Sequence, residues 1–454
     1  MPAQFFRVFS ALLVSLVFAS AALAQGLIRD TEIEETLRDW TDPILEVAGL
    51  EPNDVGLYLI NDPSLNAFVA NGQRIHLHTG LLIAAETPGQ IKGVIGHETC
   101  HIACGHTVSR ARAAQVSSRP ALVSIGLGVL AIAAGAGDAG AALIASSQQF
   151  AALNFFKHTR AEEAAADQAA VAYLEALGES PAGLVEFFEN YRYQEVLSDA
   201  RRYPYFRAHP LASDRINRTR QLAEETGLWD VPVDPETQHE FEMMQAKLIG
   251  FLNPPTQVFR RYPLEDGSTP ARYARSVAFM QAADIGAAIT EIDSLIADEP
   301  DNPYFHELKG DILFDAGRPG EAVESHQKAV DLKPRQALLL IRLAQSLSAR
   351  GEEGDHAAAE DALREALIIE QDNAFAWRQL AISVEAQGRT AEAQLAIAES
   401  AYFIGDIPRA NSFAGRARND LDAGTPLYRR ASDILAITDP RLPENRDYYR
   451  RSRP

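Results

Sequence analysis

The chain has 454 residues, of which 46% are hydrophobic and 23% are charged. This length exceeds what one hydrophobic core usually organises, so the sequence predicts two or three domains. The 42 basic and 62 acidic residues give a net charge of -20. A surface with this excess of negative charge repels polyanions, which argues against nucleic acid and anionic membrane surfaces as general partners.

Residues 1–24 have the pattern of a secretory signal peptide. Arg7 precedes an apolar run from Val8 to Ala19, and the small residues Ala22 and Ala24 mark a cleavage site. The run is shorter than the roughly 20 residues that cross a bilayer, which favours cleavage after Ala24 over an uncleaved anchor. No cysteine follows the cut to accept a lipid, so we expect the mature protein in a periplasm.

Residues 25–235 predict a domain with both helices and strands. A helical pattern at 30–50 is followed at 55–82 by alternating apolar and polar residues, which indicate a small antiparallel sheet. Helical spacing returns at 87–112 and again at 154–178. The predicted fold class is therefore α+β and mostly α, with a small sheet near the N-terminus.

Residues 120–150 are almost uncharged, with Asp138 as the single exception. Five glycines interrupt this stretch, which argues against one continuous membrane span. A single crossing would also separate residues 97–101 from any later partner by a bilayer. Two interpretations stay open: an apolar helical hairpin near the cleft that moves or touches the membrane, and a plain buried pair of helices.

A repeat follows a predicted connector at 236–270. The turns at Ala283, Gly317 and Gly351 are 34 residues apart, and Gly388 follows 37 residues later. Small residues recur five and often twelve positions after these turns. This helix-turn-helix period resembles tetratricopeptide repeats, in which small residues lie where paired helices touch.

The repeats predict an all-α tetratricopeptide-repeat solenoid at 271–440, followed by a C-terminal tail at 441–454. The alternative is an unrelated helical bundle. Because one helix pair cannot bury its apolar face alone, three or more pairs must stack, and such a stack presents a concave groove for a protein partner.

The segment GHETCHIACGH at 96–106 contains His97, Glu98 and His101 in the order His-Glu-x-x-His. On a helix, positions four apart share a face, so both imidazoles could bind one metal ion with Glu98 beside it. These ligand types suit one Zn2+ per chain with a position left for water, and Glu98 would be the general base of peptide hydrolysis. The alternative is a solvated helix with two ordinary histidines.

A third protein ligand has to come from elsewhere in the chain. The metzincin pattern requires a glycine and a histidine where this chain has Cys104 and Thr107. Helical spacing turns His106 away from the face of the histidine pair, which makes it an outer-shell or surface residue. A later helix offers Glu163 as the ligand and Asp167 as acceptor for the free N–H of a ligand histidine. Two acids on an Ala-rich helix also fit a solvated face.

Three segments together resemble one peptidase family. GHETCH at 96–101, TRAEEAAAD at 159–167 and HPLASDRI at 209–216 are similar to elements of the zinc endopeptidase family that includes HtpX and the CAAX prenyl endopeptidase. The resemblance implies a zincin-like, gluzincin-type fold. The positions that match the family pattern are His97, Glu98, His101, Arg160, Glu163, Ala166, Asp167, His209 and Pro210.

The resemblance also implies roles for residues outside the motif. His209 would stabilise the oxyanion or occupy the open metal position, whereas the alternative is a histidine that caps a turn. Asn66 and Ala67 match the edge strand of the family, which implies main-chain pairing with an extended substrate. Asp214 and Arg215 are expected to form a structural pair.

With its signal peptide and repeats, the chain resembles the periplasmic members of that family that carry C-terminal tetratricopeptide repeats. This implies an endopeptidase that degrades or assists misassembled outer-membrane proteins. The repeat domain would contact the outer-membrane assembly machinery, and residues 120–150 could contact a membrane peripherally. The alternative function is a chaperone or scaffold that uses the repeats, with a metal site that is structural or self-inhibited.

Four further side chains near the motif and the sheet carry simpler expectations. Cys100 and Cys104 lie four apart on one helix, where a Cα separation of about 6 Å and parallel side chains disfavour a disulfide. We expect two small buried thiols there, and a strained, labile disulfide is the alternative. His76 and His78 precede the motif helix and are expected at the surface rather than at a metal.

Overall fold

The protein is described from a computed structural model, which covers residues 26–70, 72–106, 160–191, 209 and 213–451. These residues divide into two compact units, one through Leu248 and one from Ile249. Within the described ranges no helix has both the length and the apolar character that a membrane crossing requires. The predicted signal peptide and the apolar stretch at 120–150 lie outside the described residues.

The first unit begins with strand β1 (Leu27–Ile28) and helix α1 (Thr31–Val47). The side chain of Asp30 caps α1 by accepting a hydrogen bond from the backbone N–H of Ile33 at 3.0 Å. One face of α1 packs into the core of the unit, as its helical spacing of apolar residues requires. The apolar side chains buried on that face are Ile33, Leu37, Trp40, Ile44 and Leu45.

A four-stranded sheet follows a 3-10 turn at Pro52–Asp54. Strands β2 (Gly56–Ile60), β3 (Ala67–Ala70) and β4 (Arg74–His78) join β1 in the order β1-β2-β4-β3. The outer pairs are antiparallel, but β2 and β4 are parallel. The predicted antiparallel sheet is therefore wrong for the central pair. Strand β3 forms the edge of the sheet, and β4 returns to lie between β2 and β3, parallel to β2.

The two histidines of β4 differ in exposure. His78 is only 7% exposed, so the prediction of a surface position is wrong for this residue. Its Nδ1 lies 2.9 Å from Oγ of Ser64, which satisfies the buried ring. His76 is half-buried, and its ring stacks between those of Tyr58 and Phe68 on the two neighbouring strands.

Helices α2 (Thr79–Ala84) and α3 (Pro88–Ala103) follow the sheet. Pro88 suits the first turn of α3, where its missing N–H would have no helical partner. Gly105 takes a left-handed conformation with φ +68°, which ends α3 earlier than the predicted end near residue 112. Helix α3 carries the His-Glu-x-x-His motif and packs against β3 and β4.

Two glycines of α3 allow neighbouring helices to approach closely. Helix α4 comprises residues 160–176, and α5 spans Ala182–Tyr191. A Cβ atom on Gly96 would lie 3.3 Å from Cα of Ala170 in α4, and one on Gly93 would lie 2.7 Å from Cβ of Leu184 in α5. The absence of side chains at these positions brings α4 within reach of the histidines of α3.

Helices α6 (Ser213–Glu225) and α7 (Pro235–Leu252) follow α5. Gln245 of α7 donates hydrogen bonds to the backbone carbonyls of Leu82 at 2.9 Å and Ala85 at 2.8 Å, which satisfies the C-terminal end of α2. Helix α7 and the following helix at Pro255–Arg261 make the predicted connector at 236–270 largely helical.

The second unit consists of helices joined by short turns. In chain order its helices after α7 are α8 (Pro255–Arg261), α9 (Thr269–Gln281), α10 (Ile285–Asp298), α11 (Pro303–Asp315), α12 (Pro319–Leu332), α13 (Ala337–Arg350), α14 (Asp355–Ile369), α15 (Ala374–Ala386), α16 (Thr390–Phe403), α17 (Ile407–Asp420), α18 (Pro426–Ile437), a 3-10 turn (Pro443–Asn445) and α19 (Arg446–Arg451).

The turns between paired helices explain the repeat in the sequence. Gly317, Gly351 and Gly388 have φ values of 72°, 68° and 78°, in the left-handed region that ends the first helix of each pair. Small side chains are buried where the helices cross, and they include Ala288, Ala322, Ala329, Ala359, Ala366 and Ala393. The helical repeat architecture predicted from the 34-residue spacing is confirmed.

Candidate metal centre

Helix α3 presents two imidazoles on one buried face. His97 is fully buried and His101 is 2% exposed. Their Nε2 atoms lie 3.1 Å apart, as expected for two rings that point from adjacent turns toward one position. Glu98, between them in sequence, is also fully buried.

Glu163 of α4 meets this pair. Its Oε2 lies 3.3 Å from Nε2 of His97, and its Oε1 lies 3.6 Å from Nε2 of His101. The Glu163 side chain is 2% exposed, so it is not part of a solvated helix face. The structure thus brings together the two histidines and the acid that the sequence singled out from separate helices.

Asp167 lies one turn further along α4 and contacts the other side of His97. Its Oδ1 is 2.9 Å from Nδ1 of His97. A carboxylate at this nitrogen keeps a proton on Nδ1, so that Nε2, once deprotonated, can offer its lone pair to a metal ion. The predicted hydrogen bond between Asp167 and a histidine of the motif therefore matches the geometry.

Arg215 of α6 is a member of the site that the sequence interpretation missed. The sequence predicted a structural pair with Asp214, whereas in the structure the Nη2 of Arg215 donates to Oδ1 of Asp167 at 2.8 Å. Its Nη1 lies 3.3 Å from Oε2 of Glu163 and donates to the backbone carbonyl of His209 at 3.3 Å. The position of Arg215 within the segment HPLASDRI was the available signal.

His209 lies among the same groups and is 2% exposed. Its Nδ1 is 2.7 Å from Oε2 of Glu163 and 3.2 Å from Nε2 of His97. Its Nε2 is 3.5 Å from Oε1 of Glu98. His209 is therefore in contact with both the candidate ligands and the candidate base.

The electrostatics of the centre follow from burial and close pairing. Burial opposes protonation of His97, but hydrogen bonds to Asp167 and Glu163 outweigh it and raise the pKa of His97 to about 9. Burial would raise the pKa of Glu163, yet the hydrogen bonds with His209 and His97 hold it well below its usual value. For Asp167 burial is likewise outweighed, here by the charge of Arg215, and its pKa is lowered.

The donor set fits a tetrahedral metal ion. Ligand atoms of His97, Glu98, His101 and His209 lie within 4.8 Å of one another, and Glu163 lies closer still to the imidazole nitrogens of His97 and His209. Zinc–nitrogen and zinc–oxygen bonds of 2.0–2.2 Å separate tetrahedral ligands by roughly 3.3 Å. The distances that join His97 Nε2 to His101, Glu163 and His209 are 3.1, 3.3 and 3.2 Å.

Glu98 supports the same interpretation. Both of its carboxylate oxygens are buried and accept no hydrogen bond from the described residues. A buried carboxylate without donors is costly, so it calls for a cation or a bound water beside it. Nε2 of His209 lies 3.5 Å from Oε1 of Glu98 without forming a hydrogen bond, so both oxygens of Glu98 can still accept one from water or substrate.

The predicted substrate strand lies at an edge of the sheet. The Asn66 carbonyl accepts a hydrogen bond from the His78 N–H at 3.0 Å, so Asn66 faces β4. Ala67 is the register partner of Leu77, and main-chain groups of an antiparallel strand alternate in direction. The N–H and C=O of Ala67 therefore point away from β4, toward the outer edge.

Cys100 and Cys104 form a disulfide, which corrects the expectation of two thiols. Their Cα atoms are 5.2 Å apart, within the usual range for a bridge and closer than the predicted separation. The reason is the position of Cys104 at the C-cap of α3, where its N–H bonds to both Cys100 and Ile102 and tightens the last turn. Cys100 therefore offers no thiol that could compete for a metal.

Comparison with known proteins gives the class of this site. Residues 28–223 match the sequence profile of peptidase family M48. The chain is 24% identical over 375 residues to the beta-barrel assembly-enhancing protease of Escherichia coli strain K12, which covers 81% of this chain and 75% of that protein. The corresponding Yersinia pestis protein is 23% identical over 366 residues, covering 78% of this chain and 72% of its own length.

The metalloprotease LoiP of Escherichia coli strain K12 is 27% identical over 184 residues, or 39% of this chain and 66% of LoiP. Among solved structures, that of MamA covers 39% of this chain at 21% identity with a TM-score of 0.30, too low to support a comparison of folds. The sequence matches and the buried His/Glu group together identify a metalloprotease. Residues 28–223 form its peptidase family M48 domain, and the chain is homologous to the beta-barrel assembly-enhancing proteases.

Proposed function

We propose that the chain is a zinc-dependent endopeptidase of the periplasm that acts on misfolded or misassembled outer-membrane proteins. In this proposal His97, His101 and Glu163 hold one zinc ion per chain. The observation that carries it is the spacing of 3.1 to 3.6 Å among their inward-facing atoms. That spacing matches the roughly 3.3 Å edge of a tetrahedral zinc site.

A zinc ion held there would supply a Lewis acid that polarises a peptide carbonyl and lowers the pKa of water. Glu98 is the general base: its carboxylate takes a proton from the water molecule that attacks the carbonyl carbon. It then gives that proton to the nitrogen of the leaving amine. Its complete burial and its lack of donors among the described residues support this role, because the carboxylate is available to water and to little else.

Asp167 and Arg215 orient the centre. Asp167 accepts a hydrogen bond from the Nδ1–H of His97, and Arg215 compensates the negative charge that Asp167 and Glu163 bring into the interior. The same guanidinium donates to the carbonyl of His209. Arg215 thereby connects Asp167, which orients His97, to the backbone at His209.

His209 is the regulator of the site in this proposal. Its Nδ1 lies 3.2 Å from His97 Nε2 and is hydrogen-bonded to Oε2 of Glu163 at 2.7 Å. The ring thus lies among the candidate ligands, which supports occupation of the fourth position rather than an approach to the oxyanion. Cleavage then requires His209 to withdraw so that water and substrate can enter. The substrate sequence around the cleaved bond would matter little, because an extended substrate would pair with the outward-facing main chain of Ala67. The main chain of Asn66 is already bonded to β4.

The substrate class and the compartment rest on relatives and on the N-terminal pattern. The name of the Escherichia coli relative refers to beta-barrel assembly, and residues 1–24 have the features of a signal peptide. We assign the repeat domain to contacts with the outer-membrane assembly machinery, since stacked helical repeats serve as protein-binding surfaces. Peripheral membrane contact is assigned to residues 120–150.

A second function is favoured by the same contacts of His209. A histidine on the candidate ligands keeps the peptidase shut, and a shut enzyme with a repeat domain can still bind unfolded proteins as a chaperone or scaffold. This function would survive loss of the base. Suppression of substrate aggregation by Glu98→Gln protein, compared with wild type, measures it directly.

The test of the peptidase uses full-length wild type, Glu98→Gln and the control Glu175→Gln, whose carboxylate is exposed on α4. Zinc content and cleavage of an unfolded protein are measured on all three. We expect one zinc per chain throughout and cleavage lost only in Glu98→Gln. Persistent cleavage by Glu98→Gln, or a wild type that takes up no zinc, would sink the proposal.

A further inference from the structure

His106 lies just past the end of α3 and is buried, with 8% of its surface exposed. Its Nδ1 is 2.9 Å from Nδ1 of His101, and the two rings meet at 63° with their centroids 5.1 Å apart. The spacing along an uninterrupted helix would turn this side chain away from His101. The contact exists because the helix stops.

Two features of the chain turn His106 back onto the helix. Gly105 has a φ of +68°, a left-handed conformation that residues with a Cβ atom adopt only at an energetic cost, so the backbone reverses there. A Cβ atom on Gly105 would meet nothing within 4 Å, so the requirement for glycine is one of backbone conformation and not of space. The disulfide between Cys100 and Cys104 closes the same turn from the side.

The direction of the hydrogen bond follows from the other face of His101. Its Nε2 lies 3.1 Å from His97 Nε2 and 3.6 Å from Glu163 Oε1, so this nitrogen faces the candidate metal position. A neutral imidazole that offers Nε2 to a metal carries its proton on Nδ1. His101 therefore donates and the Nδ1 of His106 accepts. His97 has a carboxylate in the same role, since its Nδ1 faces Asp167.

We propose that His106 is a positioning residue for His101: it fixes the tautomer and the ring plane of that ligand, and the Gly105 turn and the disulfide hold His106 in place. The inference rests on the proposed function, because it takes His101 as a zinc ligand. It gives the two histidines of the motif unlike supports, one anionic and one neutral. The neutral support adds no charge to a centre that already contains three carboxylates.

A different role for His106 has to be weighed against this one. Ligand atoms of Cys100, Cys104 and His106 lie within 4.8 Å of one another, which would suit a separate metal site if both sulfurs were thiolates. In the structure the sulfurs are bonded to each other. The acceptor nitrogen of His106 consequently serves His101.

The experiment measures zinc affinity by competition with a chelator, in full-length protein that carries Glu98→Gln so that self-cleavage does not interfere. His106→Ala is expected to weaken zinc binding about 10- to 100-fold, the usual effect of removing an outer partner of a ligand histidine. His106→Asn should recover most of the affinity, since its amide oxygen can accept the same proton. His239→Ala, which removes an exposed histidine, should leave affinity unchanged.

Gly105→Ala provides a second variant that displaces His106 without removing it, and it decides the matter if His106→Ala does not fold. It should weaken zinc binding, while the melting temperature of the metal-free protein falls only by the small amount that alanine costs in a left-handed turn. Wild-type affinity in both His106→Ala and Gly105→Ala would overturn the inference.

So would a second zinc equivalent that appears after reduction by a dithiol and is lost in His106→Ala, because His106 would then belong with the cysteines. The affinity readout is independent of cleavage. If Glu98→Gln still cleaves substrate, the proposed function fails while the role of His106 is judged on its own result.

Discussion

The Oδ1 atom of Asp167 lies 2.9 Å from Nδ1 of His97, although 70 residues separate them in the chain. The contact sets the tautomer of His97 and directs its other nitrogen toward Glu163 and His101. It joins the two helices of the centre through an outer partner rather than through the metal itself. Removing the charge of Asp167 should therefore weaken metal binding although all the proposed ligand residues are still present.

For Asp167→Asn we expect zinc affinity to fall about 10- to 100-fold, because a neutral amide supports the imidazole less strongly than a carboxylate. Chelator competition on full-length protein measures the effect, with circular dichroism of the metal-free protein alongside. Asp214→Asn, at an exposed neighbour of Arg215, is the matched control. Equal affinity in the two variants would refute the role of Asp167.

His209→Ala should raise the rate at which the protein cleaves an unfolded substrate. His209 contacts Glu163 and His97 at 2.7 and 3.2 Å. In the proposed function this is the side of the centre through which water and substrate would enter. Zinc content should stay at one per chain, because three ligands remain. A loss of cleavage with zinc retained would instead assign His209 to the oxyanion.

The pKa of His97 makes zinc uptake depend on pH. With a pKa raised from 6.5 to about 9 in the metal-free protein, His97 is protonated at pH 7 and must lose that proton to bind zinc. We expect about one proton released per zinc at pH 7 and an affinity that rises up to about pH 9 and then levels off. Calorimetry in buffers of different ionisation enthalpy measures the release. No release at pH 7 would contradict the assignment.

The stability of the metal-free protein should fall with rising pH, whereas the zinc affinity should rise. Because folding raises the pKa of His97, its protonated ring contributes stability that is fully present below pH 6.5 and is lost as the pH rises through 9. Glu163 contributes in the other direction, since its pKa is lowered on folding and its stabilisation is lost as the pH falls. The melting temperature of the metal-free protein, measured from pH 5 to 10, should therefore fall toward the alkaline end of this range.

Spacing along one helix carried most of what the sequence could predict about the site. His97 and His101 lie four residues apart, as do Glu163 and Asp167, so each pair shares a helix face whatever the rest of the chain does. What joined the two pairs was the resemblance to a peptidase family. Arg215 was assigned only to a pair with Asp214, because its contacts with Asp167 and Glu163 reach across to another helix. Its place in the segment HPLASDRI marked the residue but not these contacts.

The remaining differences between prediction and structure also have non-local or end-specific causes. The parallel pairing of β2 with β4 depends on the order of the strands in the sheet. The alternation of apolar and polar residues within each strand does not encode that order. The disulfide depends on the tightened last turn at Cys104, which ideal helix geometry does not describe. His78 is buried because of what covers its strand, not because of its own spacing.

One turn between paired helices of the second unit has alanine where the later turns have glycine. Ala283 has a φ of 60°, at a position where the later turns use glycine. We expect Ala283→Gly to raise the free energy of unfolding of this unit by about 0.5–1 kcal/mol, because the left-handed strain of alanine exceeds the entropy cost of glycine. Ala282→Gly, one residue earlier with φ -78°, should instead destabilise. Chemical denaturation distinguishes the two, and equal effects would contradict the explanation.

Close packing of α3 gives another prediction. Gly93→Ala would bring a methyl group within 2.7 Å of Leu184 and should destabilise the peptidase domain by about 1–3 kcal/mol. Gly89→Ala in the same helix is the control, because its Cβ would lie 3.7 Å from the nearest atom. If the two variants unfold at the same denaturant concentration, α3 is not packed as described.

The most direct test of the zinc centre is a crystal structure of the zinc-loaded protein with anomalous scattering recorded at the zinc edge. The account predicts one anomalous peak per chain, about 2.0–2.2 Å from Nε2 of His97, Nε2 of His101 and a carboxylate oxygen of Glu163. A peak beside Cys100, Cys104 and His106, or a Glu163 carboxylate turned away from the ion, would contradict it.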